Sequence, residues 1–148
     1  MGNVNRHSGQ SSHPTQESQP SGKRHRRTHL TKSVDKLLYL LSQGCMLHKV
    51  KGGGLLYPRT FYLDTENMVL KYSGSEKRPI SKIREVREGE KDYSKRLDPY
   101  DRGRCLAVVF GTNHEVLYLM SETSQMRDDW IKGLRFALHM DQLIKNEC

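Results

Sequence analysis

Residues 104–138 read RCLAVVFGTNHEVLYLMSETSQMRDDWIKGLRFAL, and the hydrophobic period changes once within them. Arg104–Phe110 is almost wholly apolar after its first residue, which predicts a strand buried on both faces. Gly111–His114 is a turn, and Val116–Met120 predicts the returning strand. From Thr123 the apolar side chains fall at Met126, Trp130, Ile131, Leu134, Ala137 and Leu138, the spacing of one helix face. Thr123 suits the N-cap, and Asp128 and Asp129 come early, where the helix dipole favours acids. The pattern predicts a helix that fades near His139–Leu143.

Working back from this junction, turn residues recur every 8–12 positions, as in an antiparallel meander. Cys45–Lys51 reads as a strand broken by Gly52-Gly53-Gly54. Arg59–Asp64 and Met68–Tyr72 read as strands joined by a turn at Asp64–Asn67. Ser73–Pro79 reads as a polar loop, Ile80, Ile83 and Val86 mark two short strands around Ile80–Glu88, and Gly89–Gly103 is a long charged loop. Seven short strands and one amphipathic helix predict a mainly β fold: a bent, seven-stranded antiparallel sheet or barrel capped by a C-terminal α-helix.

The 148 residues, 28% of them charged, allow one domain plus a tail and exclude a barrel enzyme of about 250 residues. The densest apolar run, Leu37–Leu41, falls far short of the roughly 18 residues a spanning helix needs. Residues 1–36 hold only Val4, Leu30 and Val34 as aliphatics beyond Met1, too little apolar surface to offset ordering entropy. They predict a disordered basic tail, with a domain over 37–143 and a C-terminal remnant at 144–148. Of the net charge of +8, the tail carries +5, from seven basic and two acidic residues. Its run Lys23-Arg24-His25-Arg26-Arg27 suits a nuclear-localisation signal, a polybasic membrane patch or a solvated tail. With no interleaved aromatics it predicts no specific nucleic-acid reading. Met1-Gly2 opens a myristoylation motif that departs at Arg6. Cys45, Cys105 and Cys148 form no CxxC pair, which fits reduced thiols in the cytosol or nucleus. There is no apolar leader, nucleophile elbow, Walker loop or paired metal motif, so no catalytic residue, metal or cofactor is expected.

Four stretches carry a resemblance: Gly44–Lys51, Arg59–Asp64, Ile83–Gly89 (IREVREG), and Leu117–Met120 running into Trp130–Leu134 (WIKGL). Over roughly Leu41–His139 the chain resembles a pleckstrin-homology (PH) domain, with Trp130 as the marker of its helix core. More specifically it is similar to the N-terminal PH domain of phosphoinositide-specific phospholipase C, of the delta and eta types and their inactive relatives. In that family the module is followed by EF-hands, a catalytic barrel and a C2 domain, where the catalytic histidines and calcium ligands lie. The resemblance therefore implies that this chain is a binding module without catalysis or calcium of its own. The alternatives are an N-terminal fragment of an active phospholipase C and a PH domain that binds protein.

A phosphoinositide headgroup is polyanionic and needs several Lys and Arg converging from one rim. Lys49 and Lys51, two apart, share one face of their strand. The resemblance implies Arg59 as the basic position opening the next strand, with Lys71, Ser75, Lys77 and Arg78 completing the ring. The family's tightest binders carry Trp and a second Arg where Leu55 and Leu56 stand here, and a Trp near Tyr72 or Lys71. The missing Arg removes a contact of about 1.5–3 kcal/mol. Leu55, Leu56 and Tyr57, at the tip of the predicted loop, suit either shallow insertion into a bilayer or folding back onto the domain. The expected ligands are phosphatidylinositol 4,5-bisphosphate and soluble inositol trisphosphate, bound by a monomer. Its expected location is the cytosolic face of membranes, or the nucleus through Lys23–Arg27, and protein partners remain an expectation.

Overall fold

Alternation of apolar and polar residues along 45–64 builds the first hairpin, and the rest of the sheet grows from it. The computed structural model describes residues 33–72, 74, 76–89, 99–111 and 115–147. The chain divides into units 1–35 and 36–148, and of the first only residues 33–35 are described. A helix over residues 33–42 (α1) leads into β1 (Cys45–Lys51). A short 3-10 turn at Gly52–Gly54 joins it to β2 (Leu55–Asp64). Then come β3 (Val69–Tyr72), β4 (Glu76–Pro79), a 3-10 turn at Ile80–Lys82 and β5 (Ile83–Glu88). A one-turn helix, α2 (Pro99–Arg102), precedes β6 (Cys105–Phe110), β7 (Val116–Met120) and α3 (Ser124–Glu147).

The seven strands form one antiparallel sheet in the order β4-β3-β2-β1-β7-β6-β5. β1 sits in the middle, paired with β2 on one side and β7 on the other. Inward-facing Leu47, Phe61, Leu63, Leu70, Leu106, Val108 and Leu119 are buried against Trp130, Ile131, Leu134 and Ala137 of α3. Phe61 is stacked on Tyr72 at 4.8 Å between ring centres and meets Trp130 edge-on at 6.5 Å. Trp130 is fully buried, as its place on the helix face predicts.

Polar anchors hold α3 in place. The Thr123 hydroxyl accepts the backbone N–H of Met126 at 3.1 Å, capping the helix as its sequence predicts. Arg135 donates through two nitrogens to the Val86 carbonyl of β5, and Arg127 donates to the Cys105 carbonyl of β6.

Several boundaries differ from the sequence reading. α3 continues to Glu147, past His139–Leu143 where the sequence reading has it fade. Nothing after Gly133 breaks the helix, and Lys145 pairs with Asp141 at 3.2 Å one turn back. Leu37–Leu41 belongs to a helix that the sequence reading left without an element, with Leu41 buried and Leu37 and Leu38 packed on the core. β2 begins at Leu55, four residues before the predicted strand, with Pro58 paired opposite His48. Among the described residues β3 pairs with β2 from Phe61 onward, with Pro58 outside that pairing. β4 lies within the predicted polar loop, and Ile80 is a turn residue, because its buried side chain marks packing without a strand. Lys23, Arg24, Arg26, Arg27 and Ser75 lie outside the described residues.

Candidate functional site

Side chains two apart on a strand share a face, so register decides which basic residues meet. Leu47 lies across from Arg59, Lys49 from Tyr57, and Lys51 from Leu55. All six share the core-facing side with Phe61. Going along β1, the side chains pass from buried Leu47 through half-buried Lys49 to exposed Lys51, so the core opens into a mouth. Among the described residues no β7 partner follows beyond Lys49, and β2 has no β3 partner before Phe61. Val50–Pro58 is therefore a two-stranded arm projecting past the rest of the sheet.

Leu55, Leu56 and Tyr57 lie on this arm, 57%, 43% and 38% exposed. They belong to the strand, not to the loop, and they do not fold back onto the core. The Lys51 ammonium stands 5.4 Å from the centre of the Tyr57 ring, and that of Lys49 stands 5.5 Å from the Tyr72 ring. Aromatic faces thus steady both cations without neutralising them. Arg59 donates to the Pro58 carbonyl at 2.8 Å. Among the described residues no carboxylate lies within ion-pair distance of Lys49, Lys51 or Arg59.

Arg78 faces the same mouth in a different state. Its two terminal nitrogens donate to the two oxygens of Glu115, both at 2.8 Å. Its guanidinium lies 3.8 Å over the Phe110 ring and reaches the Tyr72 hydroxyl. The hydrogen bonds from Arg78 hold the Glu115 carboxyl below its usual range against a burial effect of opposite sign, and Lys49 adds to the lowering. Burial pushes the Tyr72 hydroxyl up, with Arg78 opposing. The pair is partly solvated, 22% and 48% exposed, and is worth about 0.2–1 kcal/mol after screening.

Two members of the expected ring are elsewhere. Lys71 lies across from Tyr62 and Lys77 across from Lys71, which puts both on the outer face of the sheet. Lys71 pairs there with Asp64 at 3.5 Å and lines an open groove with Thr60, Tyr62 and Gly74. The cause is the period of two: on β3 and β4 the core-facing positions are Leu70, Tyr72, Glu76 and Arg78. The structure therefore brings together Lys49, Lys51, Arg59 and Arg78, with Tyr57 and Tyr72. Sequence reasoning missed Glu115, because nothing in the spacing links a turn residue to a cation 37 positions away.

No protein-family model matches the chain. Curated relatives do. The human inactive phospholipase C-like protein 1 is 28% identical over 116 residues, which is 72% of this chain and 11% of that protein. The human 1-phosphatidylinositol 4,5-bisphosphate phosphodiesterase eta-2 is 26% identical over 113 residues, 71% of this chain and 8% of that protein. The chain thus spans about a tenth of the length of either. Among solved structures, the C-terminal PH domain of human pleckstrin superposes with a TM-score of 0.53 at 18% identity, covering 66% of this chain and 87% of that one.

Proposed function

We propose, from the premise that the sheet and its capping helix are a pleckstrin-homology domain similar to those of phospholipase C-like proteins, that the module attaches a protein to phosphoinositide membranes. Its ligand is the inositol phosphate headgroup, carried by phosphatidylinositol 4,5-bisphosphate or free as inositol trisphosphate. The observation that carries this reading is the mouth itself: Lys49, Lys51 and Arg59 share one face, have no carboxylate partner among the described residues, and lie beside a projecting arm. The three cations supply charge-assisted donors for ring phosphates. Leu55, Leu56 and Tyr57 supply apolar surface for shallow entry beneath the lipid headgroups, so lipid is preferred over free headgroup. The relative named for cleaving phosphatidylinositol 4,5-bisphosphate supports that lipid as ligand. The module acts as a peripheral membrane binder at the cytosolic leaflet and has no hydrolytic role of its own. Strand addition by a peptide at β5 is disfavoured, because Arg135 already engages the Val86 carbonyl of that edge.

The test is sedimentation with vesicles that differ only in phosphoinositide isomer, with soluble inositol trisphosphate as competitor. Lys49→Ala combined with Arg59→Ala should abolish the phosphoinositide-dependent part. Neither side chain is in the core, so each change should alter stability by no more than about 0.5 kcal/mol. A folded double variant that binds like the wild type would exclude this mouth as the site.

A further inference from the structure

We propose that Glu115 limits how many phosphates the mouth accepts, because its carboxylate fills the guanidinium fork of Arg78 that a ring phosphate would otherwise take. This rests on the headgroup reading above and adds a specificity determinant to it. A carboxylate and a phosphate monoester offer the guanidinium fork the same pair of acceptor oxygens. Arg78 is presented for such an acceptor by groups other than Glu115: the Phe110 ring below it at 3.8 Å and the Tyr72 hydroxyl beside it. Glu115 fills the fork at 2.8 Å on both arms and also feels the charge of Lys49. Any phosphate bound on the β4 side must expel this carboxylate and then lie next to it. A phosphate on the β1–β2 side meets Lys49, Lys51 and Arg59 without that competition. The wild-type mouth is thus matched to a headgroup whose phosphates lie on the β1–β2 side, and an added phosphate gains little.

The rival explanation is that Arg78 and Glu115 only tie β4 to the start of β7. The two explanations differ in sign. Calorimetric titration of the full chain with inositol 1,4,5-trisphosphate and inositol 1,4-bisphosphate, alongside thermal melts, separates them. The wild type should bind the two ligands within about threefold of each other. Glu115→Gln should tighten trisphosphate binding roughly tenfold, the value of one recovered charge-assisted bond, and bisphosphate binding by less. Arg78→Met keeps a stem over Phe110 and releases the carboxylate beside Lys49, so it should weaken both ligands. Opposite shifts in the two variants support the proposal even if both melt earlier. Shifts in the same direction, or an unchanged trisphosphate affinity in Glu115→Gln, would overturn it. Binding that requires Lys49 yet ignores Glu115 sinks this proposal alone. Failure of wild type and Glu115→Gln alike to bind either ligand sinks the headgroup reading with it.

Discussion

At the turn between β2 and β3 one carboxylate accepts three hydrogen bonds from two residues. Asp64 accepts the backbone N–H groups of Glu66 and Asn67 at 3.1 and 3.0 Å through Oδ1, and the Asn67 side-chain amide at 2.9 Å through Oδ2. The turn ends at Met68, whose φ of 53° is left-handed, rare for a residue with a side chain. Those bonds, the Asn67 amide first, hold the Asp64 carboxyl below its ordinary value of 3.8, with Lys71 assisting and burial opposing. A carboxyl depressed in the folded state contributes stability above its unfolded value and loses it as pH falls through the folded one. Asp64→Ala should therefore cost about 1 kcal/mol at neutral pH. The gap from wild type should narrow as pH drops below about 4. Urea titrations at pH 7 and pH 3 check this, and an equal gap at both would assign the effect to something other than the charged carboxylate. This turn was legible in the order Asp-Thr-Glu-Asn, because its bonds are local. The Arg78–Glu115 pair was not, because only the fold brings it together.

At the scale of elements, α1 and α3 meet where α3 has no side chain. A Cβ built on Gly133 would lie 2.3 Å from Cδ1 of buried Leu41, so the glycine in the WIKGL stretch is a packing requirement. Alanine there would gain about 1 kcal/mol of helix propensity but overpack a site where such insertions cost about 1–3 kcal/mol. Gly133→Ala should lower stability on balance. Leu41→Ala alone should cost about 2–5 kcal/mol by leaving a cavity. The double variant should be more stable than the sum of the two losses, with a coupling of about 1 kcal/mol read from denaturant midpoints. Strict additivity would mean the two helices do not share this contact. The sequence showed the stripe of α3, whose period lies within one segment. It did not show that α1 would occupy the notch, since the partner of a glycine is not written beside it.

At the scale of the whole molecule, charge is unevenly placed. Residues 1–32 carry six basic side chains and one acidic one, a net +5 of the total +8. Each basic group near an anionic leaflet contributes about 1 kcal/mol, and salt screens it. Removing residues 1–32 should weaken binding to phosphatidylserine vesicles at low salt, with the difference shrinking toward physiological ionic strength. The ranking of phosphoinositide isomers should stay as it was, because the mouth lies on β1, β2 and β4. Sedimentation at two salt concentrations measures both effects, and a changed ranking would show that the tail takes part in headgroup choice.

The sequence by itself determined what depends on neighbours along the chain: the strands other than β4, the face of α3 that holds Trp130, and the pair Lys49 and Lys51 on one side of β1. Periods of two and of 3.6 are local properties, and they survive folding wherever one face is buried. Tertiary structure decided what depends on register and on approach between distant segments. It set Lys71 and Lys77 on the outer face, joined Arg78 to Glu115, made Leu55–Tyr57 part of a projecting arm and seated Leu41 against Gly133. A shift of one residue in strand pairing reverses which side every side chain takes, and that choice is made by the packed core as a whole.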